Sequence, residues 1–338
     1  MKVLIIRMSS LGDVVLATPV ARAVKKARPD AVVHFLVEKQ YAPVLGGNPN
    51  IDEVIPYDKR GGDAGVGVFR VGGKLRAERY DLIVDLQHKV RSSLLSYLAS
   101  PQTRIVLRKR TLGKSLTEFT GISGPLCDSH TVDMYLRVLG DVDIPPDGRI
   151  PEVHLDPAVS RAVVERIDAA RNGHKTLVGF NVGAGCATKR LPVATVQVAA
   201  AALQKLGCGI ILTGARNDSG RIFEVASSLP ESPVLTAHNF SLKELSAAIG
   251  AVDVLVSGDS GPVHIASALG TPTVTIYGPT SPHRWGPLSA RHEVIWHEMP
   301  CAPCSNHGGA RCPKGLEVEC MQSVRSEEIV VAATRLFP

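Results

Sequence analysis

Aromatic residues are scarce in this chain: two Trp, six Tyr and seven Phe make up 4% of 338 residues. The stacking platforms on which single-stranded nucleic acid is held are therefore not indicated. Charge is thin as well, at 21% against 44% hydrophobic residues, which excludes a disordered chain. Long apolar runs are missing. The opening run from Val3 to Ile6 is cut off by Arg7, too short for a signal peptide. No later stretch reaches the ~18 uncharged apolar residues that a membrane-spanning helix needs. A cytoplasmic protein is the expectation. Seven cysteines, an odd number without an export signal, point to reduced thiols or a metal site rather than a disulfide framework.

What is present is a repeated rhythm. Short apolar or β-branched runs at Val3 to Ile6, Val32 to Val37, Val54 to Ile55, Leu82 to Val84 and Arg104 to Leu107 alternate with helix-length segments such as Val14 to Lys26 and Val90 to Ala99. The rhythm restarts with Thr176 to Phe180, Ile210 to Thr213, Val254 to Ser257 and Thr273 to Ile276, each followed by a glycine-containing turn. The chain exceeds the size at which one core keeps growing, so two α/β domains with Rossmann-like parallel sheets are expected. The segment from Asp141 to Pro157 carries Pro145, Pro146, Pro151 and Pro157 and reads as a connector, giving domains 1–155 and 156–338. Ligands of open parallel sheets lie beyond the carboxyl ends of the strands, which would put the site in a cleft between two such domains.

The formal net charge of +6 is unevenly spread: from Lys59 to Lys114 there are thirteen Lys or Arg against four Asp or Glu. Such a basic run suits nucleic acid, anionic lipid or a phosphorylated acceptor, and charge alone does not choose.

Three post-strand turns carry candidate chemistry. In Arg7-Met8-Ser9-Ser10-Leu11-Gly12-Asp13 the carboxylate of Asp13 is placed to take a proton from an attacking hydroxyl, or Ser10 or Asp13 simply caps the next helix. In Asn181 to Arg190, Gly183 and Gly185 let backbone amides approach an anion, with Thr188 and Lys189 to complete a phosphate site. It is not a Walker A loop, and a plain turn is the alternative. In Ser257 to His264, Asp259, Ser260 and Gly261 open a helix with Pro262 in its first turn, while His264 is either structural or a ligand contact. This string misses both the serine-protease pattern and Gly-x-Ser-x-Gly. Two further loops, Gly214 to Ser219 and Tyr277 to Trp285, can border a nucleotide. Asp218 is a candidate for a ribose or base contact, against an exposed helix cap. For Gly278-Pro279-Thr280 the alternative is a simple turn. Last, Cys301-x-x-Cys304 with Cys312 and Cys320 offers four thiols for a structural zinc, though without the paired second half; ordinary reduced cysteines are the default.

In the order and spacing of these strings the chain resembles the lipopolysaccharide heptosyltransferases of glycosyltransferase family nine along nearly its whole length. The strings are Ser9 to Asp13, the Gly-Ala loop ending at Lys189-Arg190, and Asp259-Ser260-Gly261-Pro262-x-His264 followed by Tyr277-Gly278-Pro279-Thr280. The resemblance implies the GT-B fold and an ADP-heptose donor. It also implies a lipopolysaccharide core acceptor and single-step inversion with Asp13 as general base. Carried over, Thr188 and Lys189 hold the diphosphate, and Asp259, Ser260, Gly261 and His264 line the donor pocket. Lys59, Arg60 and Arg91 are candidates for acceptor phosphates and carboxylates. The chemistry is expected to need no cofactor, Lys189 standing in for a metal, with Mg²⁺ stimulation or a structural zinc as the alternatives. Peripheral contact with the cytoplasmic face of the inner membrane is expected, and nucleic acid is not. The first turn is closer to enzymes that add the first heptose, and the Gly-Ala loop and cysteine run to those that add the second. Competing readings are a sugar-nucleotide epimerase of similar fold, a noncatalytic basic binding module and, last, a serine hydrolase.

Overall fold

The computed structural model describes residues 1–107, 129–315 and 317–338. Arg108, Lys109, Arg110 and Lys114 of the basic run, and Cys127, lie outside the described residues. The chain divides into two compact units, Met1–His154 and Leu155–Pro338.

The first unit is a five-stranded parallel sheet. Its strands are β1 (Lys2–Ile6), β2 (Val32–Glu38), β3 (Glu53–Tyr57), β4 (Leu82–Asp85) and β5 (Thr103–Val106), in the order β3-β2-β1-β4-β5. Val3 to Ile6 are fully buried, as a central parallel strand covered on both faces requires. The helices are α1 (Leu11–Leu16), α2 (Thr18–Ala27), α3 (Gly67–Ala77), α4 (Val90–Leu98) and α5 (Thr131–Arg137). The chain leaves β1 toward β2 on one side and returns to β4 on the other, so the topological switch point lies between β1 and β4.

The proline-bearing segment read as a connector contains the boundary between the two units, at His154 and Leu155, and the part before it is tied to α2. Arg22 of α2 donates to the carbonyls of Asp147 and Ile150 at 3.1 and 2.8 Å and pairs with Glu152 at 3.0 Å, whose amide donates to the Thr18 hydroxyl at 2.8 Å. Prolines remove donors from this stretch, and α2 supplies them instead.

The second unit begins with α6 (Pro157–Ala170), capped by the Asp156 carboxylate, which accepts from the amides of Ala158 and Val159. Its sheet holds six parallel strands in the order β11-β10-β9-β6-β7-β8: β6 (Leu177–Asn181), β7 (Gly209–Thr213), β8 (Leu235–Ala237), β9 (Val254–Gly258), β10 (Thr273–Tyr277) and β11 (His292–Trp296). The layers over it are α7 (Val193–Lys205), α8 (Ser219–Ala226), α9 (Leu242–Gly250), α10 (Gly261–Leu269) and α11 (Ser326–Arg335). The apolar faces of α7, α8 and α11 close the core over Phe180, Leu212, Val256 and Ile276. Here the switch point lies between β6 and β9. No helix among the described residues is long and apolar enough to cross a membrane.

Candidate functional site

The switch point of the first unit holds the Asp13 carboxylate, 5% exposed. One oxygen, Oδ1, takes the Tyr135 hydroxyl at 2.8 Å and forms an ion pair with the Arg7 guanidinium. The other, Oδ2, accepts from the Ser10 amide at 3.1 Å and the Ser10 hydroxyl at 2.9 Å. Of the two roles read from the sequence, the cap is the one these contacts form: one oxygen closes the start of α1 on Ser10, and the other meets the Arg7 cation and the Tyr135 hydroxyl. Burial alone would raise its pKa. The Arg7 charge, with hydrogen bonds from Tyr135, Arg7 and Ser10, outweighs burial and holds Asp13 well below the usual carboxylate range. Arg7, itself 4% exposed, would lose its proton more easily through burial, but Asp13 reverses that and raises its pKa. Arg7 also donates to the Leu86 carbonyl at 2.7 Å, which links the turn after β1 to that after β4.

Beside it, the fully buried Asp85 at the end of β4 accepts from the amides of Gln87 and His88 at 3.0 and 2.9 Å and the Ser92 hydroxyl at 3.0 Å, fixing the start of α4. The Gln87 side chain takes the Ser9 amide at 3.3 Å. Lys59 follows β3 and pairs with the buried Glu38 at 2.9 Å. Arg91 lies over the Tyr57 ring, 5.8 Å from its centroid. Arg60 is exposed next to Lys59. The three acceptor candidates therefore share the carboxyl edge of the sheet with Asp13, and Lys59 already has an acidic partner.

In the second unit, Asn181 at the end of β6 spans the switch point. Its amide donates to the Ser257 hydroxyl at 3.0 Å, the Ser260 hydroxyl at 3.1 Å and the Gly183 carbonyl at 2.8 Å. Ser260 also bonds Ser257 at 2.9 Å, so its hydroxyl serves a polar brace between two turns. Asp259, 4% exposed, accepts the Lys189 ammonium at 3.2 Å and the Thr280 hydroxyl at 2.7 Å. Three loops thereby meet at one carboxylate, and Gly278-Pro279-Thr280 is more than a turn. Gly258 is required there: a Cβ on it would stand 2.5 Å from the Lys189 carbonyl oxygen.

The remaining candidates separate by environment. Gly183 faces Asp218, whose Oδ2 would lie 2.2 Å from an added Cβ, while Gly185 is open. Asp218 is not the exposed cap the sequence suggested. It is 4% exposed, accepts from the Ala215 amide at 3.1 Å and pairs with Arg190 at 3.3 Å. Gly261 opens α10, and His264 is buried with its ring 6.4 Å from that of Trp285. Thr188 is 4% exposed and committed to the cysteine-bearing loop: its hydroxyl donates to the Gly309 carbonyl at 3.0 Å and accepts from the Gly309 amide at 2.8 Å.

Cys301, Cys304, Cys312 and Cys320 all line one cavity of about 170 Å³, with Thr188 and Pro279 on its wall. Burial and the neighbouring thiols raise Cys304 and push Cys320 up to about 11, so both are thiols at neutral pH. Among the described residues no group of three or more His, Cys, Asp or Glu is placed to hold a metal ion. The zinc alternative therefore finds four thiols around a shared space but no ligand cluster.

Arg7, Tyr135, Asn181 and Thr280 are the participants that sequence reasoning missed. Arg7, Asn181 and Thr280 stood inside the quoted strings without a role of their own, whereas Tyr135 lies 122 residues from Asp13 and left no signal.

The family description glycosyltransferase family 9 (heptosyltransferase) matches residues 68–311. The chain is 27% identical over 309 residues to lipopolysaccharide heptosyltransferase 2 of Salmonella typhimurium, covering 87% of this chain and 88% of that protein. It is 25% identical over 307 residues to lipopolysaccharide heptosyltransferase 1 of Campylobacter coli, covering 84% and 86%. Among solved structures, the family 9 glycosyl transferase of Veillonella parvula matches with a TM-score of 0.84 at 23% identity, over 99% of this chain and 96% of that one. The E. coli ADP-heptose lipopolysaccharide heptosyltransferase II matches at 0.78 and 22%, over 99% and 98%. The two parallel-sheet units are those of the GT-B fold, and with nearly three quarters of its length inside the family match the chain belongs to glycosyltransferase family 9 and is a glycosyltransferase.

Proposed function

We propose that this enzyme transfers heptose from ADP-heptose to the inner core of a lipopolysaccharide precursor, with inversion in a single step. The second unit takes the donor: Lys189 and the amides of the Gly183 to Lys189 loop meet the diphosphate, and Asp259, Ser260 and Gly261 border the sugar nucleotide. The first unit supplies the base, Asp13, which takes the acceptor hydroxyl proton as the oxygen attacks the anomeric carbon and ADP departs. The observation that carries the reading is the Lys189 ammonium 3.2 Å from Asp259 at the switch point of the second unit. It is a cation held in register by a carboxylate, which an arriving diphosphate can share, and it offsets the leaving group's charge without a metal. The Salmonella typhimurium and Campylobacter coli relatives, both lipopolysaccharide heptosyltransferases, support the choice of sugar and acceptor.

The basicity of Asp13 needs a physical account, because a carboxylate with four donors is a poor base. Its strong engagement keeps it ionised and oriented until an acceptor hydroxyl replaces one donor, Tyr135 or Ser10, and the proton is taken only as the new bond develops. The test is incubation with ADP-heptose and lipid A carrying the inner-core sugar, with product mass measured. A mass gain of one heptose with ADP-heptose and none with other sugar nucleotides supports the reading. Transfer of a different sugar, or none to any inner-core acceptor, refutes it.

A further inference from the structure

Lys189 is held from two sides. Asp259 meets its ammonium, and residues 304–309 of the cysteine-bearing loop touch both of the turns that converge on that carboxylate. On the side of Thr280, the amides of Cys304 and Ser305 donate to the Pro279 carbonyl at 3.0 and 2.9 Å, and the Trp285 indole donates to the Asn306 carbonyl at 2.8 Å. On the side of Lys189, the Gly309 carbonyl accepts from the Thr188 amide at 3.2 Å and from its hydroxyl at 3.0 Å, while the Gly309 amide donates back to that hydroxyl at 2.8 Å. The Ser305 hydroxyl closes the turn between them, accepting from the amides of His307 and Gly308 at 3.2 and 3.0 Å.

Gly308 makes the closest approach. Its φ of +78° favours glycine, and a Cβ there would stand 2.9 Å from Lys189 Cγ and 3.1 Å from Cys186 Cβ. The backbone at Gly308 is therefore the wall on which the methylene stem of Lys189 rests. The cavity of about 170 Å³ bordered by Thr188 and Pro279 leaves this stretch without full packing on one side, so its hydrogen bonds fix its place. A threonine hydroxyl has a single proton to donate. At Thr188 that proton goes to the Gly309 carbonyl, and none is left for a phosphate oxygen while residues 304–309 are seated.

We propose that Thr188 and Gly308 are positioning residues that hold Lys189 against residues 304–309, and that the Thr188 hydroxyl is not a ligand of the diphosphate. This rests on the reading of Lys189 as the cation that meets the diphosphate, so one arm of the test needs no nucleotide. In the ligand-free protein, trace acetylation by acetic anhydride is read by mass spectrometry at Lys189, with the exposed Lys205 as reference. Thr188→Val should raise labelling of Lys189 about fivefold, and Thr188→Ser, which keeps the hydroxyl, should stay within about twofold of the parent. The second arm is ADP affinity by calorimetry. Thr188→Val and Gly308→Ala should each weaken it about tenfold, but by no more than about twofold in a Lys189→Met background, because residues acting through one side chain are not additive. Equal labelling of Lys189 in the parent and in Thr188→Val overturns the proposal. So does an undiminished tenfold loss from Thr188→Val in the Lys189→Met background, about what a direct hydrogen bond to the diphosphate is worth. ADP that binds the parent no better than Lys189→Met fails the donor reading instead, and the labelling arm still decides whether Thr188 positions Lys189.

Discussion

Replacing Asp13 by Asn while Arg7 remains tests the electrostatic account of the first unit. The two side chains are 5% and 4% exposed, so the variant leaves a guanidinium out of water without its counter-charge. Breaking a buried pair from one side costs about 3–5 kcal/mol. The Asn oxygen can still accept from Tyr135, and Arg7 keeps the Leu86 carbonyl at 2.7 Å, which places the expectation at the lower end, about 3 kcal/mol. For a unit of this size that is a fall in Tm of on the order of 10 °C. The variant Arg7→Met/Asp13→Asn removes the stranded charge and should recover at least half of the loss, because a buried pair replaced by apolar volume is close to neutral. Urea denaturation followed by far-UV circular dichroism measures both. An Asp13→Asn protein within about 1 kcal/mol of the parent would refute the reasoning, since surface pairs are worth no more than that.

Asp13 has a depressed pKa, so its contribution is present above the unfolded carboxylate value and lost as pH falls below it. The stability gap between parent and Asp13→Asn should accordingly stay constant from neutral pH to about 4 and shrink in more acidic solution; a gap that closes between pH 5 and 7 would contradict the assignment. Gly258→Ala sets a methyl 2.5 Å from the Lys189 carbonyl oxygen and must displace that loop, raising the donor KM about tenfold while the acceptor KM stays put. Lys189→Met should lower kcat/KM by about 10²–10³-fold, and chelators should leave the parent's rate unchanged. With its thiol pushed up to about 11, Cys320 should react with iodoacetamide at pH 8 about a hundredfold more slowly than a free thiol, and at the free rate once the protein is unfolded in urea.

The alternation of strand and helix was legible because central parallel strands are apolar throughout: Val3 to Ile6, Leu82 to Val84 and Val254 to Ser257 each fall inside an observed strand. The edge strands β8 and β11 were not, since Leu235–Ala237 is short and His292–Trp296 alternates in exposure as an edge strand does. The candidate site was legible as post-strand strings, each a turn followed by a helix start. What those strings left out is partnership. That Thr188 spends its hydroxyl on Gly309, and that Tyr135 reaches Asp13, depend on contacts more than a hundred residues apart, which no local pattern encodes. In the segment from Asp141 to Pro157 the prolines marked the connector that holds the unit boundary, but its tie to Arg22 of α2, more than a hundred residues away, left no local pattern.

The most direct test of the central claim is ADP release from ADP-heptose, with and without lipid A carrying the inner-core sugar, in the parent and in Asp13→Asn. The account expects acceptor-dependent release in the parent and a loss of about 10²–10⁴-fold in the variant, with donor affinity preserved because the proposed donor contacts belong to the second unit. Acceptor-dependent release that survives the substitution in a folded protein would contradict Asp13 as the base.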